Sequence, residues 1–233
     1  MKKTIKNLAL ILMLVVAFSC VAIQASAADA SVLTFADCEG GVMITDCNKT
    51  ANGELVIPAE HQGKKVVAIA NNAFENCTAL TKVVMADSIV TVGDSAFAGC
   101  TALADVTFSY NLEKIGMDSF FACDALKNVL LYPNLKEMGA FAFFDCENLE
   151  SVVIPTGFVN IPEGAFGECK KLATLSLPMS LKSIDVDAFV SCEAIKTVYY
   201  IGNEGAWGHN IKWGEGNDIL FDVTRSNFGH NHT

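Results

Sequence analysis

Cysteine recurs at Cys77, Cys100, Cys123, Cys146, Cys169 and Cys192, each 23 residues after the one before. A phenylalanine stands three residues ahead of each, at Phe74, Phe97, Phe120, Phe143, Phe166 and Phe189. A fixed period of this kind restricts the fold more than any local motif. One unit is too short to fold alone, because ordering each residue costs on the order of 1.5 kcal/mol and a handful of buried side chains does not offset it. Each unit must therefore bury its apolar face against its neighbours. The chain should be a stack of repeats with atypical segments at its two ends.

Within the unit the apolar positions fall into columns. Leu80, Leu103, Leu126, Leu149, Leu172 and Ile195 form one, and Val83, Val106, Val129, Val152, Leu175 and Val198 the next. Two residues further on come Met85, Phe108, Leu131, Ile154, Leu177 and Tyr200. Alternation by two argues a strand with one buried face, and one strand per turn of the stack gives a parallel sheet along one side. A later column, Ile69, Val92, Ile115, Met138, Ile161 and Ile184, precedes Gly93, Gly116 and Gly139, which read as a turn. The Ala-Phe segment that follows is expected to form a single helical or 3₁₀ turn on the opposite side. A period between about 20 and 29 residues is that of a leucine-rich-repeat solenoid, so the expected fold class is an α/β solenoid of 23-residue repeats.

The ends leave this frame. Residues 28–53 read as an N-terminal hairpin cap, with short apolar runs either side of Glu39-Gly40-Gly41. The array spans 54–201, and 202–233 read as a C-terminal cap and tail in which Trp207 and Trp213 cover the last repeat. At the start, Lys2, Lys3 and Lys6, the apolar block from Leu8 to Phe18 and Ala25-Ser26-Ala27 read as a signal peptide over residues 1–27. The bulky Phe18 argues against the alternative of a lipidated Cys20. The apolar block is shorter than the roughly 20 residues that span a bilayer, so no transmembrane segment is expected. The formal net charge of −10 would become −13 once the three leader lysines are removed, which disfavours nucleic acid and anionic membranes as partners.

The unit Cys-x-x-Leu-x-x-Val-x-Leu/Ile-Pro…Ile-Gly-x-x-Ala-Phe resembles the BspA-type, or Treponema-type, leucine-rich repeat of bacterial secreted and surface proteins. Glu54-Leu55-Val56-Ile57-Pro58 before the array and Val198-Tyr199-Tyr200…Trp207…Gly216-Asn217…Leu220 after it resemble the family's flanks. Ser119 in place of the repeat alanine, and Pro162 and Asp185 in place of the glycine, depart from the pattern. The resemblance implies a binding role, including adhesion to host or neighbouring-cell surfaces, and supplies no catalytic residues to transfer.

Chemistry-bearing residues are few. The repeat cysteines are close enough in a stack for disulfides, yet their parallel Cβ vectors favour buried free thiols that act as small hydrophobes and weak donors. A Cys38–Cys47 bridge is the other possibility, and no cysteine pair has the spacing of a zinc knuckle. His61, His209, His230 and His232 make no nucleophile–histidine–acid arrangement, so no enzyme activity, cofactor or metal is expected. If Val83 and Met85 point inward, then Val84, Thr107, Leu130, Val153, Ser176 and Tyr199 form an outward row, with Tyr132 continuing that face. Beside it run Lys82, Asp105, Asn128, Ser151, Thr174 and Thr197. The expected function is a secreted or cell-surface binding protein that takes a protein or glycan ligand on this row. The same residues also fit ordinary strand-formers with no ligand, a self-assembling envelope component, or a glycan-active hydrolase.

Overall fold

The structure, a computed structural model, describes residues 27, 28, 30–201 and 211–222. Trp207, the three later histidines and most of the expected leader lie outside the described residues. The chain forms a parallel β-solenoid with two ladders of short strands rather than one. The first ladder runs Gly53–Val56, Leu80–Val84, Asp105–Thr107 and, after an interruption, Asn128–Leu130, Ser151–Val153, Thr174–Pro178 and Thr197–Ile201. Its register is the sequence period: Val83 faces Val106, Val152 faces Leu175, and Leu175 faces Val198. The side chains alternate as expected, with Val83, Leu131, Ile154 and Leu177 buried and Lys82, Thr107 and Val153 accessible.

The second ladder runs along the later apolar column, just ahead of the glycines expected to turn. Lys64–Ile69, Thr91–Val92, Lys114–Ile115 and Glu137–Met138 pair in parallel, as do Asn160–Ile161, Ser183–Ile184 and Lys212–Trp213. The break between the two groups falls at Pro162. In neighbouring turns the amide of the next residue donates across the stack, Gly116 N to Val92 O, Gly139 N to Ile115 O and Asp185 N to Ile161 O, each at 2.9 Å. Proline has no N–H to make that bond.

The glycines of this column answer to close approach rather than to a turn conformation. A Cβ on Gly116 would lie 2.6 Å from Asp94 N, and one on Gly139 2.3 Å from Met117 N. Both glycines keep negative φ.

The expectation of a helical segment opposite the sheet, and with it the α/β class, is corrected. Among the described residues the only helical pieces are the 3₁₀ turn Ala30–Val32 and the four-residue helix Ile219–Asp222. Residues before and after each Ala-Phe pair alternate between right- and left-handed conformations. Asn72, Ser95, Asp118, Phe141 and Asp187 have positive φ, and so do Asn76, Ala122, Asp145, Glu168 and Ser191, all between 52° and 60°. A helix cannot pass through such positions. Alternate amides instead point along the stack: Phe74 N donates to Ala96 O, Phe97 N to Ser119 O and Phe120 N to Ala142 O, at 2.7 to 2.8 Å. This third side is a turn face whose hydrogen bonds link successive repeats.

The core lies between the three sides. Phe74, Phe97, Phe120, Phe143, Phe166 and Phe189 are fully buried and stack in one file, with ring centroids 4.6 to 5.6 Å apart and near-parallel planes. Beside them the cysteine thiols donate to the phenylalanine carbonyls of the preceding turn, Cys100 to Phe74 O at 3.1 Å through Cys192 to Phe166 O at 3.0 Å. Ser119 sits in the alanine column without disturbing it, its buried hydroxyl satisfied by Gly116 O and Gly93 O at 2.7 and 2.9 Å.

At the start of the stack Leu33–Cys38 and Gly41–Cys47 form the antiparallel hairpin, and its second strand pairs in parallel with Lys64–Ile69. Cys38 lies at the turn opposite Gly41, whereas Cys47 lies at the far end opposite Leu33, which rules out a bridge between them. Cys47 instead meets Cys77, and their thiol–thiol hydrogen bond raises the pKa of Cys47 and lowers that of Cys77. All eight described cysteines are free, and only Cys38 has appreciable exposure. Burial pushes the Cys100 and Cys146 thiols up to about 12. With residues 1–27 removed, Ellman's reagent should therefore titrate about one thiol per native chain and all eight in denaturant. Rapid native labelling of several thiols would contradict the packing.

Candidate functional site

Strand alternation delivers most of the expected row. Thr107 and Val153 are exposed, Val153 to 37 %, and Val84, Leu130, Ser176 and Tyr199 are half-exposed. Pairing aligns Val84 with Thr107, and Leu130, Val153, Ser176 and Tyr199 in sequence. No ladder joins Thr107 to Leu130, so the row is two runs rather than one. Val56, paired with Val84 and exposed, extends the first run. Charges beside it are neutralised locally, Lys82 lying 3.5 Å from Glu54 and 3.9 Å from Asp105.

Tyr132 is placed differently from expectation. The strand ends at Leu130, and Tyr132 sits at the following corner, half-buried against the core. Its ring lies 5.5 Å from that of Tyr110, which is 54 % exposed. The partner at the corner escaped the sequence reading because Tyr110 and Tyr132 occupy adjacent, not equivalent, columns of the repeat.

The turn face carries a second surface that the sequence reading missed. Phe121 and Phe144 are equivalent residues of successive turns, stacked with centroids 5.8 Å apart and planes 3° apart. Phe141 meets Phe144 edge-on at 5.6 Å. These rings lie over glycines of the next turn: a Cβ on Gly164 would be 2.2 Å from Phe141 Cδ1, and one on Gly167 2.6 Å from Phe144 Cε2. Met117, Phe121 and Val186 remain 49 %, 38 % and 43 % exposed on this side.

The charge on the turn face has one sign. Segments 70–76, 93–99, 116–122, 139–145, 162–168 and 185–191 hold Glu75, Asp94, Asp118, Asp145, Glu163, Glu168, Asp185 and Asp187, and no lysine or arginine. Among the described residues none of these acids has an ion-pair partner within 4.0 Å, whereas Lys82, Lys114, Lys136 and Lys170 on the other sides pair with Glu54, Glu137, Glu113 and Glu147. Column-by-column charge, rather than apolar periodicity, is the signal that reveals this face.

Burial, reinforced by Asp94, raises the Asp118 carboxyl above the usual range. Burial with Glu147 does the same for Asp124 and Asp145. An acid whose folded pKa is raised destabilises the fold while it is ionised, and the penalty is relieved as pH falls through that pKa. Glu147, lowered by its bond to Lys170, works in the opposite sense but is exposed and screened. Thermal stability at constant ionic strength should therefore rise as pH is lowered from 7 toward about 4.5. A monotonic fall over that interval would contradict it.

Two cavities, of about 280 and 250 Å³, lie at the ends of the stack, the second lined in part by Phe189 and Ser191 of the last turn-face segment. The first is lined by Phe35, Asp37, His61 and Lys64, with Phe35 stacked on His61 at 3.8 Å. Among the described residues no group of three His, Cys, Asp or Glu side chains converges as a metal site, and no helix is long and apolar enough to cross a membrane.

The family model described as BspA type leucine rich repeat region matches residues 67–196 in six copies. No curated protein matches the chain. Among solved structures, a leucine-rich-repeat protein of T. pallidum is 28 % identical with a TM-score of 0.70, over 75 % of this chain and 86 % of that one. A leucine-rich cell surface protein of Faecalibacterium prausnitzii is 27 % identical with a TM-score of 0.63, over 72 % of this chain and 53 % of its own length. A leucine-rich-repeat protein of Bacteroides ovatus is 26 % identical with a TM-score of 0.56, over 71 % and 51 %. The chain thus spans about half the length of the second and third.

Proposed function

We propose that this chain, which belongs to the BspA-type leucine-rich-repeat family, is an exported, non-enzymatic binding protein that engages a protein or glycan of a host or neighbouring cell through its first strand ladder. The observation that carries this reading is the outward row Val84, Thr107, Leu130, Val153, Ser176 and Tyr199, uncharged and partly apolar on an acidic chain. Short parallel strands hold such a row rigidly, so little side-chain or loop ordering opposes docking. The cell-surface description of the F. prausnitzii relative supports placement outside the cell, and the apolar leader block supports export through a cleaved signal peptide. The hairpin 28–53 and the segment 202–233 serve in this reading as caps for the ends of the stack.

An array of extracellular-matrix proteins and glycans, probed with the purified protein and with a Leu130→Asp, Val153→Asp variant, tests it. The expected result is a ligand captured by the parent and lost from the variant at unchanged circular dichroism. Equal capture by both proteins would remove this face from the function.

A further inference from the structure

The strand-ladder reading leaves the turn face unused, and its features point in one chemical direction. The side chains of Met117, Phe121, Phe141, Phe144, Val186 and Val190 form an apolar ledge across four turns, and the first ladder has nothing comparable in ring area. The ring pair Phe121–Phe144 is held in place from below, because Phe144 rests on Gly167 and only a residue without a side chain leaves that room. Acids frame the ledge closely in sequence and space. Asp118 precedes Phe121 by three residues and accepts its amide on the main-chain carbonyl at 3.0 Å, Asp145 follows Phe144, and Asp145 N donates to Gly167 O beside Glu168. The face itself carries no lysine or arginine, and Lys170, bonded to Glu147, reaches Asp145 and Glu168 only through its field, with no ion pair to either within 4.0 Å.

We propose that this ledge docks a basic polypeptide segment, with an arginine guanidinium plane laid over the exposed Phe121 ring, which Phe144 backs, and the remaining positive charges directed to Asp118, Asp145 and Glu168. Charge complementarity selects the occupant. The quadrupole of a phenylalanine face attracts a cation within about 6 Å of the ring, and the gain grows where acids stand beside it. A nucleic acid or anionic lipid would be repelled by the same residues. A neutral glycan would use the rings and leave the acids idle, which does not explain a face free of lysine and arginine over six consecutive turns. Arginine suits the site better than lysine because its planar group stacks and hydrogen-bonds at once.

Fluorescence anisotropy of a labelled nona-arginine peptide, titrated with the purified protein, tests the proposal. Saturable binding is expected, weakening as NaCl rises from about 50 to about 300 mM. The Asp118→Asn, Asp145→Asn, Glu168→Gln variant should bind roughly tenfold more weakly, whereas Asp105→Asn, Glu113→Gln, Glu150→Gln, an equal change of charge on the other sides, should shift affinity by less than about twofold. Phe144→Ser should weaken binding several-fold at unchanged circular dichroism, and the charge variants decide the matter if that protein does not fold. Equal weakening by the two charge variants would mean that only net charge attracts the peptide, and the proposal fails. Absence of binding overturns it as well. Salt-insensitive binding of a neutral oligosaccharide that depends on Phe144 would assign the ledge to glycans instead.

Discussion

Phe120→Ala is expected to destabilise the solenoid by at least about 3–5 kcal/mol, the range for emptying a phenylalanine site in a well-packed core. Phe120 is completely buried at the middle of the file, with Phe97 and Phe143 stacked on its two faces at 5.0 and 5.1 Å and Phe108 edge-on at 5.5 Å. Truncation removes three ring contacts, each adding about 0.5–1.5 kcal/mol beyond area burial. The neighbouring turns cannot collapse into the gap, because the amides of Phe97, Phe120 and Phe143 fix the spacing of the turn face. Phe74→Ala, with a single stacked neighbour in Phe97, should cost less. Urea denaturation checks both. In a stack coupled only through neighbours, the central variant should also broaden the transition as the two halves uncouple. Equal costs for Phe74→Ala and Phe120→Ala would mean that the file is not a continuous ladder.

The residues that pack were legible from the sequence because the period itself specifies the stack. Each inward column, from Leu80 and Val83 to Phe74 and Cys77, needs only to be read down the repeats, and every member of those four columns is buried. Backbone conformation was less legible. Asn72, Ser95 and Asp118 in one column, and Asn76 and Asp145 in another, tolerate left-handed φ, but Phe141 shares the first column and Ala122 and Glu168 the second, which hides the rule. The second ladder offers two residues per turn, too few for a period of two to show. Gly116 and Gly139 reveal close approach only once a neighbouring turn is in place. The outward row followed from alternation alone, and Tyr132 was misplaced because alternation was extended past the end of its strand. The turn-face surface needed a different question, which side holds acids and no lysine or arginine, and that has no meaning until the sides are known.

Asn217 is the residue on which the end of the stack depends, and Asn217→Leu is expected to unravel it. In the array the amide of each core phenylalanine donates to a carbonyl of the next turn, as Phe143 N does to Ala165 O and Phe166 N to Ala188 O. Phe189 has no further repeat to bond. Its amide donates instead to Asn217 Oδ1 at 3.0 Å, so that a side-chain amide stands in for the missing peptide group. The other end of the same amide, Nδ2, donates to Asp185 O at 2.8 Å and Gly214 O at 2.9 Å, and the side chain is buried. Leucine keeps the volume but removes the partner of the buried Phe189 amide and of two part-buried carbonyls, the stranded donor alone costing about 1–3 kcal/mol. Aspartate keeps the acceptor for Phe189 yet sets a carboxylate against the Asp185 and Gly214 carbonyls, so Asn217→Asp should also fail, most at neutral pH. Hydrogen exchange separates a local effect from a global one. The Phe189 and Asp187 amides should lose protection in Asn217→Leu while those of Phe97 and Phe120 keep it, because a solenoid transmits damage only from turn to turn. Unchanged protection at Phe189 would show that the terminal turn is held by packing of Ile211, Trp213 and Leu220 alone.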